Sequence, residues 1–177
     1  DAHIHLLHGG ADIVQTAQLY DTTTPAELQA VLAAHAAGFD GPMIWGAGWQ
    51  FGFFSAENLT RDLLDAVVPD RPCLVYDSSY HNACINSKAC EMAGVVAGME
   101  DPLNGHVVRD AAGEPTVMLS EEAIGCVRER LPQTTDAIWH AGLRAGMAHA
   151  NRHGITGVLD PSVIEEQLLA YPAAAAA

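Results

Sequence analysis

Two histidines near the start of the chain, His3 and His5, are the residues whose type and spacing best suit metal chemistry. Side chains two residues apart on a β-strand point to the same face of that strand. Two imidazoles on one face can bind a single divalent ion, because neutral imidazole is a common ligand for zinc and similar metals. A catalytic zinc ion usually has three protein ligands and a water, so the pair predicts half of a site. The alternative is a solvated or core histidine pair.

The residues around this pair resemble a known family. Asp1 precedes the two histidines and a leucine- and glycine-containing segment follows, as at the end of the first barrel strand in the amidohydrolase superfamily. Other segments are similar, in the same order, to the branch that includes N-substituted formamide deformylase: 46–49, 59–65, 69–72, 81–89, 93–95, 113–121 and 151–158. Val117 departs from the pattern, since the family usually has glycine there. Together these segments cover most of residues 1–170.

The resemblance implies an α/β fold, a TIM (β/α)₈ barrel of the metal-dependent hydrolase type. Such a barrel usually needs about 250 residues, so the 177 residues here are expected to be only its N-terminal part. Residues 1–172 are predicted to form this partial barrel, with an insertion at about 93–120. The five alanines at 173–177 are interpreted as sequence that has not been assigned, and a natural alanine-rich tail is the alternative.

The resemblance also implies the metal ligands. His3 and His5 would bind the more buried ion, and Glu121 would be the acidic ligand because it occupies the glutamate of the family's Pro-Thr-Gly-x-Leu-x-Glu segment. The alternative for Glu121 is a first-turn glutamate stabilised by the helix dipole. One or two divalent ions, most simply zinc, are the expected cofactor. Two more histidines and the catalytic aspartate are expected outside this chain.

Two residues are predicted to contact a small-molecule substrate. His81 follows a predicted strand, and barrel enzymes place substrate contacts at the carboxyl ends of strands. A hydrogen-bonded structural histidine is the alternative. Trp49 lies in a glycine-rich segment and either walls an apolar pocket or packs in the core.

Local signals predict alternating strands and helices, as a βα architecture requires. Thr24, Pro25 and Glu27 predict a capped helix that ends near Gly38. Further helices are predicted after the caps Thr60, Ser120 and Thr134 or Thr135, and from Ser87 to a stop at Gly94. Strands are predicted at 3–5, 43–45, 73–76 and 155–159, with a hairpin at 107–119.

Composition disfavours several classes of protein. Eight basic and 22 acidic residues give a formal charge of −14, which disfavours nucleic-acid binding. No apolar run approaches the length of a membrane span, and no signal peptide is visible. The four cysteines lack Cys-x-x-Cys spacing and are predicted to be buried free thiols in a cytoplasmic protein. The sequence is compatible with a homo-oligomer.

Three functions are compatible with these observations. The first is a metal-dependent hydrolase that cleaves an amide or other C–N bond of a small molecule through a metal-activated water. The second is a metal-dependent barrel isomerase or dehydratase. The third is a non-catalytic acidic α/β binding module whose histidine pair is incidental.

Overall fold

The computed structural model describes residues 3–168 and 170–175, so Asp1 of the histidine motif and the last two alanines lie outside the described residues. Helices and strands follow in the order α1 (Leu6–Gln15), β1 (Thr16–Gln18), α2 (Pro25–Gly38), β2 (Ile44–Trp49), α3 (Arg61–Asp65), β3 (Cys73–Asp77), β4 (Asn82–Ile85), α4 (Ser87–Ala93), β5 (Gly105–Arg109), β6 (Pro115–Glu121), α5 (Glu122–Arg128), α6 (Asp136–Arg152), α7 (Glu165–Leu168) and α8 (Ala170–Ala175). The chain divides into a central unit, Ala17–Gln133, and a terminal unit built from both ends of the chain.

The central unit is built on a six-stranded mixed sheet. The strand order is β1-β2-β3-β4-β6-β5. Strands β2 and β3 are parallel, with Ile44 opposite Cys73, whereas β4, β5 and β6 join by antiparallel pairing. The hairpin predicted at 107–119 is confirmed as β5 and β6. The α/β class is therefore confirmed, and the pairing in this sheet is parallel only in part.

Most helix starts in the central unit follow the local capping signals. The capping box of α2 is confirmed, because the Thr24 side chain accepts from the Glu27 amide while the Glu27 carboxylate accepts from the Thr24 amide at 3.1 Å. Thr60 caps α3, and Gly94 ends α4 in the left-handed conformation with φ 69°. Leucines 28 and 32 of α2 are fully buried in the core of this unit.

The prediction that Ser120 caps α5 is wrong. Strand β6 continues through this residue to Glu121, and Ser120 pairs in the sheet with Asn82 on one side and His106 on the other. Glu121 is the N-cap residue instead, without a side-chain capping hydrogen bond. The ladder on both sides of Ser120 outweighs its local capping preference.

Helices α1 and α6 of the terminal unit meet through their backbones. A Cβ atom on Gly10 would lie 2.0 Å from the Gly142 carbonyl oxygen, and one on Gly142 would lie 2.6 Å from the Ala11 nitrogen. Leu6, Leu7 and Leu143 are buried around this contact. Only residues without side chains permit so close an approach at these positions. Helix α6 begins at the predicted cap, Thr135.

The strands predicted at 3–5 and 155–159 are not formed in the described part of the chain. His5 has φ −89° and ψ 68° and is the N-cap residue of α1, so it has left the extended conformation. The two segments still meet, because the Ile4 amide donates to the Leu159 carbonyl at 3.1 Å. A strand needs a ladder of such bonds, and hydrophobic pattern alone does not supply one.

The four cysteines are free thiols, as predicted. Burial is confirmed for Cys73, Cys84 and Cys90, whereas Cys126 is only half-buried. Burial raises the pKa of Cys73 to about 12 and that of Cys90 to about 11. These two thiols therefore stay uncharged near neutral pH. Among the described residues, no helix has both the length and the apolar character to cross a membrane.

Two neighbouring glycines of α1 give a matched test of the helix contact. Gly10→Ala should destabilise the terminal unit by about 1–3 kcal/mol, because its methyl group would collide with the backbone of α6. Gly9→Ala should stabilise α1 by roughly 0.5–1 kcal/mol, since alanine loses less backbone entropy in a helix. Nothing lies within 4 Å of a Cβ on Gly9. Hydrogen exchange of the α1 amides measures both changes, and equal protection in the two variants would contradict the contact.

Candidate active site

His3 and His5 lie side by side on the exposed segment that leads into α1. Their ring centres are 5.3 Å apart and the ring planes cross at 77°. Two imidazoles bound to one zinc ion with tetrahedral geometry place their ring centres roughly 5 Å apart. The donor types and their separation therefore fit a shared zinc ion, although the same geometry also suits edge-to-face packing. Residues 3–168 and 170–175 contain no group of three or more histidine, cysteine or acidic side chains that could hold a metal ion.

A buried carboxylate that the sequence analysis missed, Asp160, lies next to this pair. Its Oδ1 is 3.8 Å from His5 Nδ1, and its side chain is 5% exposed whereas that of His5 is 53% exposed. Asp160 directly follows the segment 155–159, which was predicted to be a barrel strand. Functional groups of barrel enzymes stand at such strand ends, and this signal could have identified Asp160.

Asp160 is held by three hydrogen bonds. Its Oδ2 accepts from the Leu7 amide at 3.0 Å and from the Tyr171 hydroxyl at 3.1 Å, and its Oδ1 accepts from the Ser162 amide at 3.3 Å. Burial raises the pKa of the Asp160 carboxyl group, but these bonds and nearby His5 outweigh that effect, so the net pKa is lowered. Burial and the Asp160 charge raise the pKa of Tyr171 to about 12. Asp160 is therefore a charged acceptor and Tyr171 a donor at neutral pH.

His81 and Glu121 form a pair in the central unit. His81 Nδ1 donates to both carboxylate oxygens of Glu121, at 3.0 and 3.1 Å, and the Glu121 amide donates to the His81 carbonyl at 3.0 Å. The hydrogen bond to Glu121, followed by its charge, raises the pKa of His81. Both side chains are more than half exposed. This arrangement leaves His81 Nε2 free to meet a ligand.

The backbone at this pair adopts conformations that non-glycine residues rarely take. Tyr80 has φ 64° and Glu121 has φ 53°. Such conformations cost about 1–3 kcal/mol each and cluster at functional sites. Buried Asp77 supports the turn, because its carboxylate accepts from the Ser79 hydroxyl at 2.6 Å and from the Asn82 amide at 3.0 Å. The turn that presents His81 is thus fixed by side-chain hydrogen bonds.

Trp49 is a core residue in this structure. Its ring is fully buried, and its Nε1 donates to the Val75 carbonyl at 3.0 Å. Phe51, whose ring centre lies 4.8 Å from that of Trp49, is 58% exposed. Exposed aromatic surface after this strand end therefore includes Phe51 and Phe53, neither of which was selected from the sequence. The pocket-wall role of Trp49 stays a prediction.

Glu121 belongs to the central unit, whereas the two candidate ligand histidines belong to the terminal unit. Its metal-ligand role stays a prediction. What the structure adds is a partner for its carboxylate, His81.

The chain is similar in sequence to known proteins. The chain is 28% identical to Protein LONG AFTER FAR-RED 3 of Arabidopsis thaliana over 90% of its length, which is 27% of that protein. It is 31% identical to N-substituted formamide deformylase of Arthrobacter pascens over 68% of its length, which is 23% of that protein. The chain therefore spans about a quarter of the length of these relatives.

A solved structure has the same fold. The crystal structure of an uncharacterized metal-dependent hydrolase from Pyrococcus horikoshii OT3 matches with a TM-score of 0.70 at 23% identity, over 98% of this chain and 32% of that one. The model of the amidohydrolase family matches residues 1–177. On the strength of that match over its whole length, the chain belongs to the amidohydrolase family.

Proposed function

We propose that the protein carrying this chain is a metal-dependent hydrolase that cleaves an amide or other C–N bond of a small molecule. The observation that carries the proposal is the histidine pair, whose ring centres lie 5.3 Å apart in a member of the amidohydrolase family. The similarity to a solved metal-dependent hydrolase supports a metal cofactor, and the deformylase among the relatives supports a C–N bond as the target.

His3 and His5 are the metal ligands in this proposal, and zinc is the first candidate because imidazole suits it. A bound divalent ion would supply a water of lowered pKa and would polarise the scissile carbonyl group. The chain's own contribution is to hold the two imidazoles at a separation that fits one ion. Glu121 is the candidate acidic ligand, and the remaining ligands are expected elsewhere in the protein.

The proposed architecture is a TIM (β/α)₈ barrel of which this chain forms the N-terminal part. The parallel pairing of β2 and β3 supports it, because parallel strands are the unit of such a barrel. The segment at about 93–120 is the proposed insertion, and it contributes β5 and most of β6 to the sheet. His81, which follows β3, is proposed to contact the substrate through Nε2. Phe51 is an exposed apolar neighbour of Trp49, the other proposed substrate contact.

Loss of both histidines should remove the metal. The double variant His3→Ala, His5→Ala is expected to lose bound zinc and amide hydrolysis together, because alanine offers no donor atom. The control is the double variant His149→Ala, His153→Ala, which removes another pair of close histidines, with ring centres 4.9 Å apart on α6. Elemental analysis of the purified full-length proteins measures the metal. Wild-type zinc content in the first variant would contradict the proposal.

A product assay separates hydrolysis from the alternative functions. With an N-substituted formamide as the first substrate to try, a hydrolase releases the amine and formate in equal amounts. An isomerase or dehydratase of other substrates would release neither product. Absence of turnover across a panel of amides and cyclic C–N compounds, in zinc-loaded protein, would contradict the hydrolase proposal and leave the isomerase, the dehydratase and the binding module as candidates.

Glu121→Gln tests what its carboxylate does. The pKa of His81 should fall towards its ordinary value in this variant, because the hydrogen bond and charge that raise it are weakened. In the wild type, the contribution of protonated His81 to stability is fully present below the ordinary pKa of histidine. This contribution is lost as the pH rises through the raised pKa of His81. Imidazole NMR titration measures the change, with Glu122→Gln as a control for removal of a neighbouring carboxylate.

Metal content of the same variant tests the ligand prediction separately. A drop in bound zinc in Glu121→Gln, together with lost turnover, would support the role of Glu121 as metal ligand. Zinc content equal to that of wild type would remove it from the metal site and leave its contact with His81 as its role. An unchanged pKa of His81 would contradict the pairing seen in the structure.

A further inference from the structure

The first turn of α1 depends on Asp160 for one of its backbone hydrogen bonds. The first four amides of a helix have no partner within the helix. His5 occupies the N-cap position of α1 but makes no side-chain capping bond. Asp160 Oδ2 accepts from the Leu7 amide instead, at 3.0 Å and from 153 residues away in sequence. The position of the backbone immediately after His5 is therefore set by Asp160.

The other oxygen of the same carboxylate faces the ring of His5. Oδ1 lies 3.8 Å from His5 Nδ1, which is within ion-pair range but longer than a hydrogen bond. A carboxylate only accepts hydrogen bonds, so a hydrogen bond between the two groups requires the proton on Nδ1. Nε2 of His5 is then the nitrogen with a lone pair available for a metal. Metal-binding histidines commonly donate their second ring nitrogen to a carboxylate in this way.

We propose that Asp160 is the positioning residue of the metal centre: it fixes where His5 stands through Leu7, and it fixes which ring nitrogen of His5 faces the metal. This inference rests on the function proposed above. Burial keeps the carboxylate in place, because its side chain is 5% exposed. The Tyr171 hydroxyl and the Ser162 amide hold it from other directions.

Asp160→Asn separates the two contacts of this carboxylate. The Leu7 amide and the Tyr171 hydroxyl both donate to Oδ2, so the amide oxygen of asparagine is expected to take that place. The NH₂ group then takes the place of Oδ1, where it cannot accept from the His5 ring N–H or from the Ser162 amide. The helix start is kept, while the contact with His5 and the hydrogen bond from Ser162 are lost.

The experiment measures zinc affinity by competition with a chelator in the purified full-length protein. Asp160→Asn should weaken zinc binding by about 10- to 100-fold, the effect typical of losing such a partner. Tyr171→Phe is the matched control, since it removes a different hydrogen bond from the same carboxylate but keeps the Leu7 and His5 contacts, so zinc affinity should fall much less than in Asp160→Asn. Circular dichroism of both variants reports whether α1 and the rest of the fold are kept.

His5→Ala distinguishes failure of this inference from failure of the proposed function. If the wild type binds no zinc, or if His5→Ala binds zinc as tightly as wild type, the proposed metal centre itself is wrong. If His5→Ala loses zinc while Asp160→Asn keeps wild-type affinity, the metal centre stands and the positioning role is overturned. Equal weakening in Asp160→Asn and Tyr171→Phe would also overturn it, since the effect would then come from general loosening.

A measurement on the wild type keeps the proposal testable even if Asp160→Asn does not fold. Nitrogen-15 NMR of the zinc-loaded protein should show a proton on His5 Nδ1 and zinc on Nε2. Zinc on Nδ1 would overturn the proposal, because that nitrogen could not then donate to Asp160.

Discussion

One buried carboxylate fixes the local structure on which the candidate metal centre depends. Asp160 binds the Leu7 amide at the start of α1 and lies beside the ring of His5. Without it, the first turn of α1 would have an unpaired buried amide, which typically costs about 1–3 kcal/mol. Residues at opposite ends of the chain are thereby joined through a polar contact and not only through apolar packing.

In the central unit, too, a buried polar side chain forms hydrogen bonds that fix the ends of several secondary-structure elements. Asn86 is fully buried, and its Oδ1 accepts from the amides of Cys73 and Ala89, both at 2.9 Å. Its Nδ2 donates to the carbonyls of Val68 and Arg71, at 2.8 and 2.9 Å. All four of its hydrogen bonds are made, so Asn86 ties the start of β3 to the start of α4. Asn86 is therefore a structural residue, whereas the side chain of His81 in the same stretch of chain is exposed.

Elements whose determining contacts are local were predictable from the sequence. The caps at Thr24, Thr60 and Thr135 act on amides three residues away; the first two were predicted, and Thr135 is one of the two alternatives predicted for α6. Elements whose partners are distant were not predictable. The segments 3–5 and 155–159 have strand-like patterns, but their conformation depends on pairing that no local pattern specifies. Ser120 was wrongly predicted to be a helix cap, because its two sheet partners, Asn82 and His106, are distant in sequence and no local pattern indicates them.

The sequence suggested His3 and His5 as candidate ligands, but it pointed neither to Asp160 nor to the contacts that the candidate residues make. The spacing of His3 and His5 suggested a shared ion, and the structure gives a separation that fits one. The pairing of Glu121 with His81 joins residues 40 apart, and the contact of Asp160 with Leu7 joins residues 153 apart. Neither follows from hydrophobic periodicity. The burial of Trp49 was one of two open alternatives, because a tryptophan in a glycine-rich segment suits core and pocket equally well.

The make-up of the terminal unit has a consequence for the order of events during synthesis on the ribosome. Helix α1 emerges before the central unit, whereas its partner α6 and the carboxylate that completes its first turn are encoded after that unit. At about 5–20 residues per second, the roughly 120 residues between them take on the order of 6–24 s to translate. The central unit can therefore fold while α1 is still without its partners. The hydrogen bond from the Leu7 amide to Asp160 can form only once residue 160 has left the exit tunnel.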